Sequence, residues 1–304
     1  MNAKRWMAMG IWALALGMAA GPAGAQYTKT KYPIVLVHGL LGFNKMFGFM
    51  EYWYGIPGAL RADGATVFVT QASQLNTSEA RGEQIIAQLL QWRAITGAQK
   101  FNLIGHSQGA IDIRYVAAVR PDLVASVTSV AGPHKGNDLA NAAPDLGAAS
   151  ELIASFMEAL GDVIALFSAS PYPNDGLAAI RQLSSNEMAK FNAKYPKGLP
   201  STACGQGASI VNGVRYYSWS GVGTVTTGID ITDPLMALTQ FLNTEPNDGL
   251  VGRCSSHLGT VLRDNYFHNH LDEVNQMLGL VPIFEANPKA IVRAHANRLR
   301  NLGL

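Results

Sequence analysis

The chain has 304 residues, 48% of them hydrophobic and 14% charged, with 23 lysines and arginines against 21 aspartates and glutamates. So even a balance leaves no electrostatic footprint for nucleic acid or an anionic membrane surface, and so apolar a composition describes a well-filled globular core. No repeat, low-complexity tract or linker divides the chain, so one large domain is expected.

The first residues stand apart. Lys4 and Arg5 precede an apolar run from Met7 to Ala20, followed by Gly21-Pro22 and Ala23-Gly24-Ala25. Charged, apolar and small residues in that order form a secretory signal peptide. Cleavage is expected after Ala25, leaving a mature domain over 26–304 with 21 basic and 21 acidic residues. In an exported protein the two cysteines, Cys204 and Cys254, are expected to pair, and the closed loop contributes roughly 4 kcal/mol in the chain-entropy description.

Three short apolar runs, Tyr32 to Val37, Ala65 to Val69 and Lys100 to Ile104, suit strands buried on both faces. Thr77-Ser78-Glu79 followed by Ile85, Ile86, Leu89, Leu90 and Trp92 is a helix start and then an apolar stripe at helical spacing. A further helix spans Ile111 to Val119, stopped by Arg120-Pro121, and the run Val124 to Ala131 reads as the next strand. This alternation predicts an α/β fold with a mostly parallel sheet and helices on both faces.

Within it, Gly105-His106-Ser107-Gln108-Gly109 joins a strand to a helix. Glycines on either side of a serine suit a nucleophile elbow, a turn too crowded for side chains that lifts the hydroxyl out of the backbone. The pentad alone is a weak signal in a chain with 31 glycines. The strand before it and the helix after it are the context it needs, and they put Ser107 at the carboxyl end of a strand, where such sheets carry their chemistry.

A nucleophilic serine needs a base, an acid to orient the base, and donors for an oxyanion. Five histidines follow Ser107: His134, His257, His268, His270 and His295. His270 stands where the apolar stripe Leu271, Val274, Met277 and Leu278 predicts the start of a helix, and it is the favoured base, with His268 its nearest rival. Asp248, in the turn Asn247-Asp248-Gly249, is a candidate acid, and Asp230 and Asp233 are rivals that spacing does not exclude. The oxyanion donors are expected to be the backbone amides of Gln108, after the nucleophile, and of Leu40, in the loop after the first strand.

Two apolar groups bear on substrate. Glu151 to Phe167 has an amphipathic helical pattern, read either as a lid over about 144–170 or as a packed core helix. Phe43, Met46, Phe47, Phe49, Met50, Tyr52 and Trp53 could wall an acyl groove or belong to the core.

Taken together, YPIVLVHGLLG, LIGHSQG, RYVAAVRPDLVASVTSVAGPHKG, NDGLVGRCSSHLG and NHLDEVNQ resemble the true lipases of Gram-negative bacteria related to Pseudomonas and Burkholderia enzymes. The resemblance covers nearly the whole mature chain. It implies an α/β-hydrolase fold with a helical lid, Ser107 as nucleophile, Asp248 as acid, His270 as base, and the Leu40 and Gln108 amides as oxyanion hole. It also implies a disulfide between Cys204 and Cys254, and one structural Ca²⁺ held by Asp230 and Asp272 with the main-chain carbonyls of Gln276 and Leu280, Asp233 remaining a rival to Asp230. The 272, 276 and 280 positions recur at helical spacing.

As partners the resemblance implies a lipid surface and a membrane-anchored periplasmic foldase, followed by export from the cell; a monomer without nucleic acid is expected. The leading function is hydrolysis of long-chain triacylglycerols at an interface. A secreted carboxylesterase or polyester depolymerase is the alternative, and a non-catalytic binding relative the third reading.

Overall fold

The computed structural model describes residues 26–46, 48–142 and 171–304. The expected signal peptide, Phe47 and the proposed lid lie outside the described residues. In chain order the elements are β1 (Ile34–Val37), β2 (Lys45–Met46), β3 (Met50–Glu51), α1 (Ile56–Ala62), β4 (Val67–Val69), α2 (Ser78–Thr96), β5 (Phe101–His106), α3 (Gln108–Val119) and β6 (Val124–Val130). There follow α4 (Asp138–Ala142), α5 (Gly176–Gln182), α6 (Ser185–Lys194), β7 (Ile210–Val211), β8 (Val214–Gly221), α7 (Asp233–Thr239), β9 (Thr260–Tyr266) and α8 (Pro288–Asn301).

The main sheet runs in the order β4-β1-β5-β6-β8 with every pair parallel, while β7 lies antiparallel to the start of β8 and β9 parallel to its later half. The short apolar runs form strands because both sheet faces are covered. Ile34, Leu36, Ile104 and Val130 pack on one side with Leu60 of α1 and Val292 of α8. Val35, Val37, Leu103 and Val127 pack on the other with Ile85 and Leu89 of α2 and Ile113 of α3. Alternate residues of one strand thus feed two cores.

Helix α2 starts where its signal predicts, with the Thr77 side chain accepting from the Ala80 amide, and it ends on Gly97 in the left-handed region. Helix α3 begins three residues before the expected Ile111, because the elbow feeds directly into it.

The helix expected from Leu271 to Leu278 does not form. A single 3₁₀ turn, Asp272–Val274, takes its place, ended by Asn275 at φ 61°. Leu278 and Gly279 are also left-handed, at φ 54° and 82°. The Asn269 side-chain oxygen takes the Leu271 and Asp272 amides as an N-cap would, but two reversals of handedness within five residues stop propagation. Residues 272, 276 and 280 therefore do not stand at helical spacing; the segment is a series of turns, with Asn275 N bonded to Asp272 O, Gly279 N to Asn275 O and Leu280 N to Met277 O.

Cys204 and Cys254 form a disulfide. Because the strands are parallel, the segments after β1, β5, β8 and β9 leave the sheet at one edge, and every candidate site residue lies along it or on a loop folded against it. Among the described residues no helix is long and apolar enough to cross a membrane.

Candidate active site

Ser107 lies between β5 and α3 with φ 55° and ψ −128°, a conformation few non-glycine residues adopt. The reason both flanking positions are glycine is steric. A Cβ at Gly105 would overlap the Gly109 carbonyl, and one at Gly109 would lie 2.5 Å from the His38 carbonyl oxygen. The strained residue is pinned by its own amide, which donates to Val130 O at 2.9 Å on the neighbouring strand.

The turn after β1 sits against this elbow. Gly39 N donates to the Tyr52 hydroxyl at 3.1 Å, Leu41 N to Gln74 O at 2.8 Å and Gly42 N to Gly39 O at 3.1 Å. The Leu40 amide is left with no acceptor among the described residues. Gln108 is the first residue of α3, so its amide is one of the orphan donors of a helix N-terminus. Two amides from separate elements are thus open beside Ser107.

Behind the turn lies a buried ion pair. Arg81 Nε of α2 meets Asp112 Oδ2 of α3 at 2.7 Å, both side chains being fully buried. The same guanidinium donates to His38 O at 2.7 Å, to Gly39 O at 3.3 Å and to Ser73 O. Burial pushes the Asp112 carboxyl up to about 6 against the pull of Arg81. His38 is held neutral, down to about 3, by burial and by Arg81. Its Nε2 accepts from the Ala72 amide at 3.1 Å, so Nδ1 carries the proton and donates to Gly39 O at 2.9 Å.

His270 Nδ1 lies 2.7 Å from Asp248 Oδ2, and the His270 amide donates to Asp248 O at 2.9 Å. The other carboxylate oxygen of Asp248 accepts from the Leu250 and Val251 amides at 2.9 and 2.7 Å. A carboxylate so engaged stays an acceptor, which places the imidazole proton on Nδ1 and leaves Nε2 free to take one. The His270 ring stands 4.5 Å, centroid to centroid, from the ring of His106, the residue before Ser107, so His270 lies against the elbow.

Residues 32–238 match the family described as alpha/beta hydrolase fold. Over 97% of its length the chain is 52% identical to a triacylglycerol lipase of Vibrio cholerae, covering 95% of that protein. The chain belongs to the triacylglycerol lipase family. A triacylglycerol lipase of Pseudomonas fragi is 43% identical over 91% of the chain and 98% of that protein. Another from Burkholderia plantarii is 38% identical over 96% and 93%. These relatives agree with the resemblance to the Gram-negative type. Among solved structures, lipase 1 from Pelosinus fermentans superposes with a TM-score of 0.64 at 14% identity, covering 90% of this chain and all of that one, which attests the fold.

The remaining histidines of this lipase-family chain lie away from Asp248. His268 stacks on Tyr266 with centroids 5.6 Å apart, and burial lowers it to about 4. His134 sits between Arg114 and Ser129, His257 between Gly205 O and Asp264, and His295 between Thr128 and Arg298. Each is a buried structural group.

The rival aspartates separate by their partners. Both oxygens of Asp233 are taken: Oδ1 by the Thr226 amide and Asn269 Nδ2, Oδ2 by the Thr227 and Gly228 amides. Asp230 gives Oδ1 to Thr232, and its Oδ2 is buried without a partner. Asp272 gives Oδ2 to Thr226 and the Asn269 amide, and its Oδ1 is likewise buried and unpartnered. Burial, with Asp230 and Asp233 close by, pushes the Asp272 carboxyl up to about 7. Two orphan carboxylate oxygens in one buried place call for a cation or protons.

Of the apolar residues read as an acyl wall, Phe43, Tyr52 and Trp53 are buried in the core beside α1. Arg81 and Asp112 escaped the sequence reading as site residues, and Tyr52 entered it only as part of a candidate acyl wall. The available signal was periodicity: Arg81 precedes Ile85 and Leu89 by one and two helical turns, a charge on an apolar stripe that demands a buried partner.

Proposed function

We propose that this protein is a secreted lipase that hydrolyses long-chain triacylglycerols at a lipid–water interface through an acyl-enzyme. Ser107 Oγ attacks the ester carbonyl carbon as its proton passes to His270 Nε2, and the carbonyl oxygen becomes an oxyanion facing the Leu40 and Gln108 amides. The imidazolium, stabilised through Nδ1 by Asp248, gives its proton to the departing alkoxide. Water then attacks the acyl-serine with the same base, releasing fatty acid and restoring Ser107. The observation that carries this reading is the Asp248–His270 hydrogen bond beside a strained serine elbow.

A single Ca²⁺ bound by Asp230 and Asp272, with the Gln276 and Leu280 carbonyls, fits the orphan oxygens Asp230 Oδ2 and Asp272 Oδ1. Among the described residues no three His, Cys, Asp or Glu side chains converge on one point, so main-chain oxygens have to complete the shell. When bound, the ion neutralises the paired carboxylates and ties the 226–233 loop to the segment bearing His270. Export after cleavage at Ala25, and maturation with a periplasmic foldase, complete the proposal.

The test is hydrolysis of triacylglycerols of increasing acyl length, below and above their solubility limits. Turnover that rises when long-chain substrate forms an interface supports the reading. Confinement to soluble short-chain esters would make the protein a carboxylesterase instead.

A further inference from the structure

The edge of the sheet that carries Ser107 also carries bare apolar side chains on firmly held loops. After β9 comes Phe267, half exposed, and beyond the Asp272 turn the chain reverses at Pro282–Glu285, presenting Ile283 at 86% and Phe284 at 97% exposure. The two pieces are joined, since the Phe267 amide donates to Glu285 Oε2 at 3.0 Å. Glu285 is itself gripped by Arg263 at 2.7 and 3.1 Å, and Arg263 lies over the Tyr266 ring at 4.1 Å. After β8, at the same edge, Ile229 and Ile231 are exposed at 72% and 81% on the loop that Asp233 ties to Asn269.

Two features say what this face meets. Residues 276–284, Gln-Met-Leu-Gly-Leu-Val-Pro-Ile-Phe, contain no charged side chain, and the only charge in 222–232 is the buried Asp230. Entering an apolar phase would therefore strip water from no ion of these two segments, and Glu285 at the end of the turn is already paired with Arg263. Part of the turn backbone is also bonded internally, Gly279 N to Asn275 O, Leu280 N to Met277 O and Glu285 N to Pro282 O. Lipid offers no hydrogen bonds in return, so amides already bonded lose nothing on meeting it.

We infer that the Pro282–Glu285 turn, with Phe267 and the Ile229–Ile231 loop beside it, is a rigid docking surface for neutral lipid that seats the serine edge of the sheet on the substrate phase. The inference rests on the proposed function, and it adds which residues enter the lipid. Attraction is apolar and not ionic, so it extends to zwitterionic surfaces and persists at high salt.

The experiment uses the mature protein in calcium-containing buffer with phosphatidylcholine vesicles. The double variant Ile283→Ser/Phe284→Ser is expected to partition to vesicles about tenfold more weakly and to lose a similar factor on emulsified triolein, since two large apolar side chains no longer leave water. Its melting temperature and its turnover of dissolved p-nitrophenyl acetate should match the parent. In Phe284→Trp, the added indole fluorescence should shift to the blue on vesicle addition.

Unchanged partitioning of the double variant, or an indole emission in Phe284→Trp that vesicles leave unmoved, would overturn the inference. So would a change in oligomeric state with partitioning intact, which would make the face a contact between copies. A parent protein that binds vesicles through these residues yet fails to turn over the dissolved ester would sink the proposed function alone.

Discussion

The Tyr52 hydroxyl lies 2.6 Å from His106 Nδ1 and 3.1 Å from the Gly39 amide. An amide only donates, so the hydroxyl accepts from Gly39 and gives its proton to His106. One O–H therefore bridges the proposed oxyanion turn and the serine elbow. His106 suits the acceptor role, because burial and the neighbouring His270 keep its imidazole well below the ordinary histidine range. Tyr52→Phe leaves both groups buried without this partner, at about 1–3 kcal/mol in stability. Turnover of a dissolved ester should fall roughly tenfold with KM little changed, because the oxyanion forms only in the transition state. Parental kcat in a folded Tyr52→Phe protein would show that the bridge does not shape the turn.

Arg81 reaches the same turn from behind. Its bond to Gly39 O falls on the peptide whose N–H belongs to Leu40, so the guanidinium both fixes and polarises that donor. Arg81→Met strands Asp112 in the core and should reduce the unfolding free energy by about 3–5 kcal/mol. Adding Asp112→Leu removes the stranded carboxyl, and urea denaturation should recover much of the loss. Activity should stay low in both variants, since neither restores the contact to Gly39.

For the reaction itself, Ser107→Ala should abolish ester hydrolysis with the melting curve in place, because the elbow is held by its glycines and the Val130 carbonyl and not by the hydroxyl. Asp248→Asn should lower kcat about 10³- to 10⁴-fold, since an amide in that position favours the wrong imidazole tautomer. His268→Ala should keep activity within a few fold of the parent, while His270→Ala should not. Reversal of the last two effects in an ester assay would move the base to His268.

The paired aspartates lead to a prediction about stability. Chelation should lower the melting temperature and hasten inactivation on warming, while initial rates at low temperature change far less, because the proposed Ca²⁺ is given no step in the chemistry. Asp272→Asn and Asp230→Asn should each mimic the chelator and remove any further response to it. Asp233→Asn should also destabilise, through its lost amide contacts, yet keep its response. Instant, reversible loss of activity on chelation with an unmoved melting curve would give the metal a catalytic part instead.

Five buried histidines make stability depend on pH. Burial lowers His38 and His295 to about 3 and His268 to about 4, and it holds His106 and His134 well below their ordinary value. In the unfolded chain all five bind protons near pH 6.5. Their contribution is thus complete above pH 6.5 and lost as pH falls from there toward 3, by about 2 kcal/mol at pH 5 for each of His38, His268 and His295. Asp112, Asp272 and Glu273 act in the opposite sense, since burial raises all three carboxyls and their contribution is lost as pH rises above 4. The histidines outnumber them, so the urea midpoint should drop between pH 7 and pH 5. Equal midpoints would mean that the histidines are not held neutral.

Much of this protein is legible locally. Strands β1, β5 and β6 follow from short apolar runs whose alternate residues can feed two cores. The Gly105 to Gly109 pentad dictates a strained turn, because glycine alone fits both of its flanks. The Thr77-Ser78-Glu79 signal starts α2 where the Thr77 cap puts it. In each case the determining interactions lie within a few residues of one another, so the order of residues already contains them.

The choice of partner for a polar side chain is another matter. Nothing near Arg81 names Asp112, 31 positions away, or shows that both end beneath the oxyanion turn. Asp230 and Asp233 are alike in sequence, and only the folded 226–233 loop saturates one with amides and leaves the other an orphan oxygen. His268 and His270 differ by two residues, yet one faces Tyr266 and the other Asp248. The apolar stripe after His270 reads as helix until Asn275 and Gly279 take left-handed conformations against their surroundings. Periodicity and glycine specify backbone within a turn or two, whereas desolvation, hydrogen-bond saturation and handedness at these positions depend on which distant segments the sheet brings alongside.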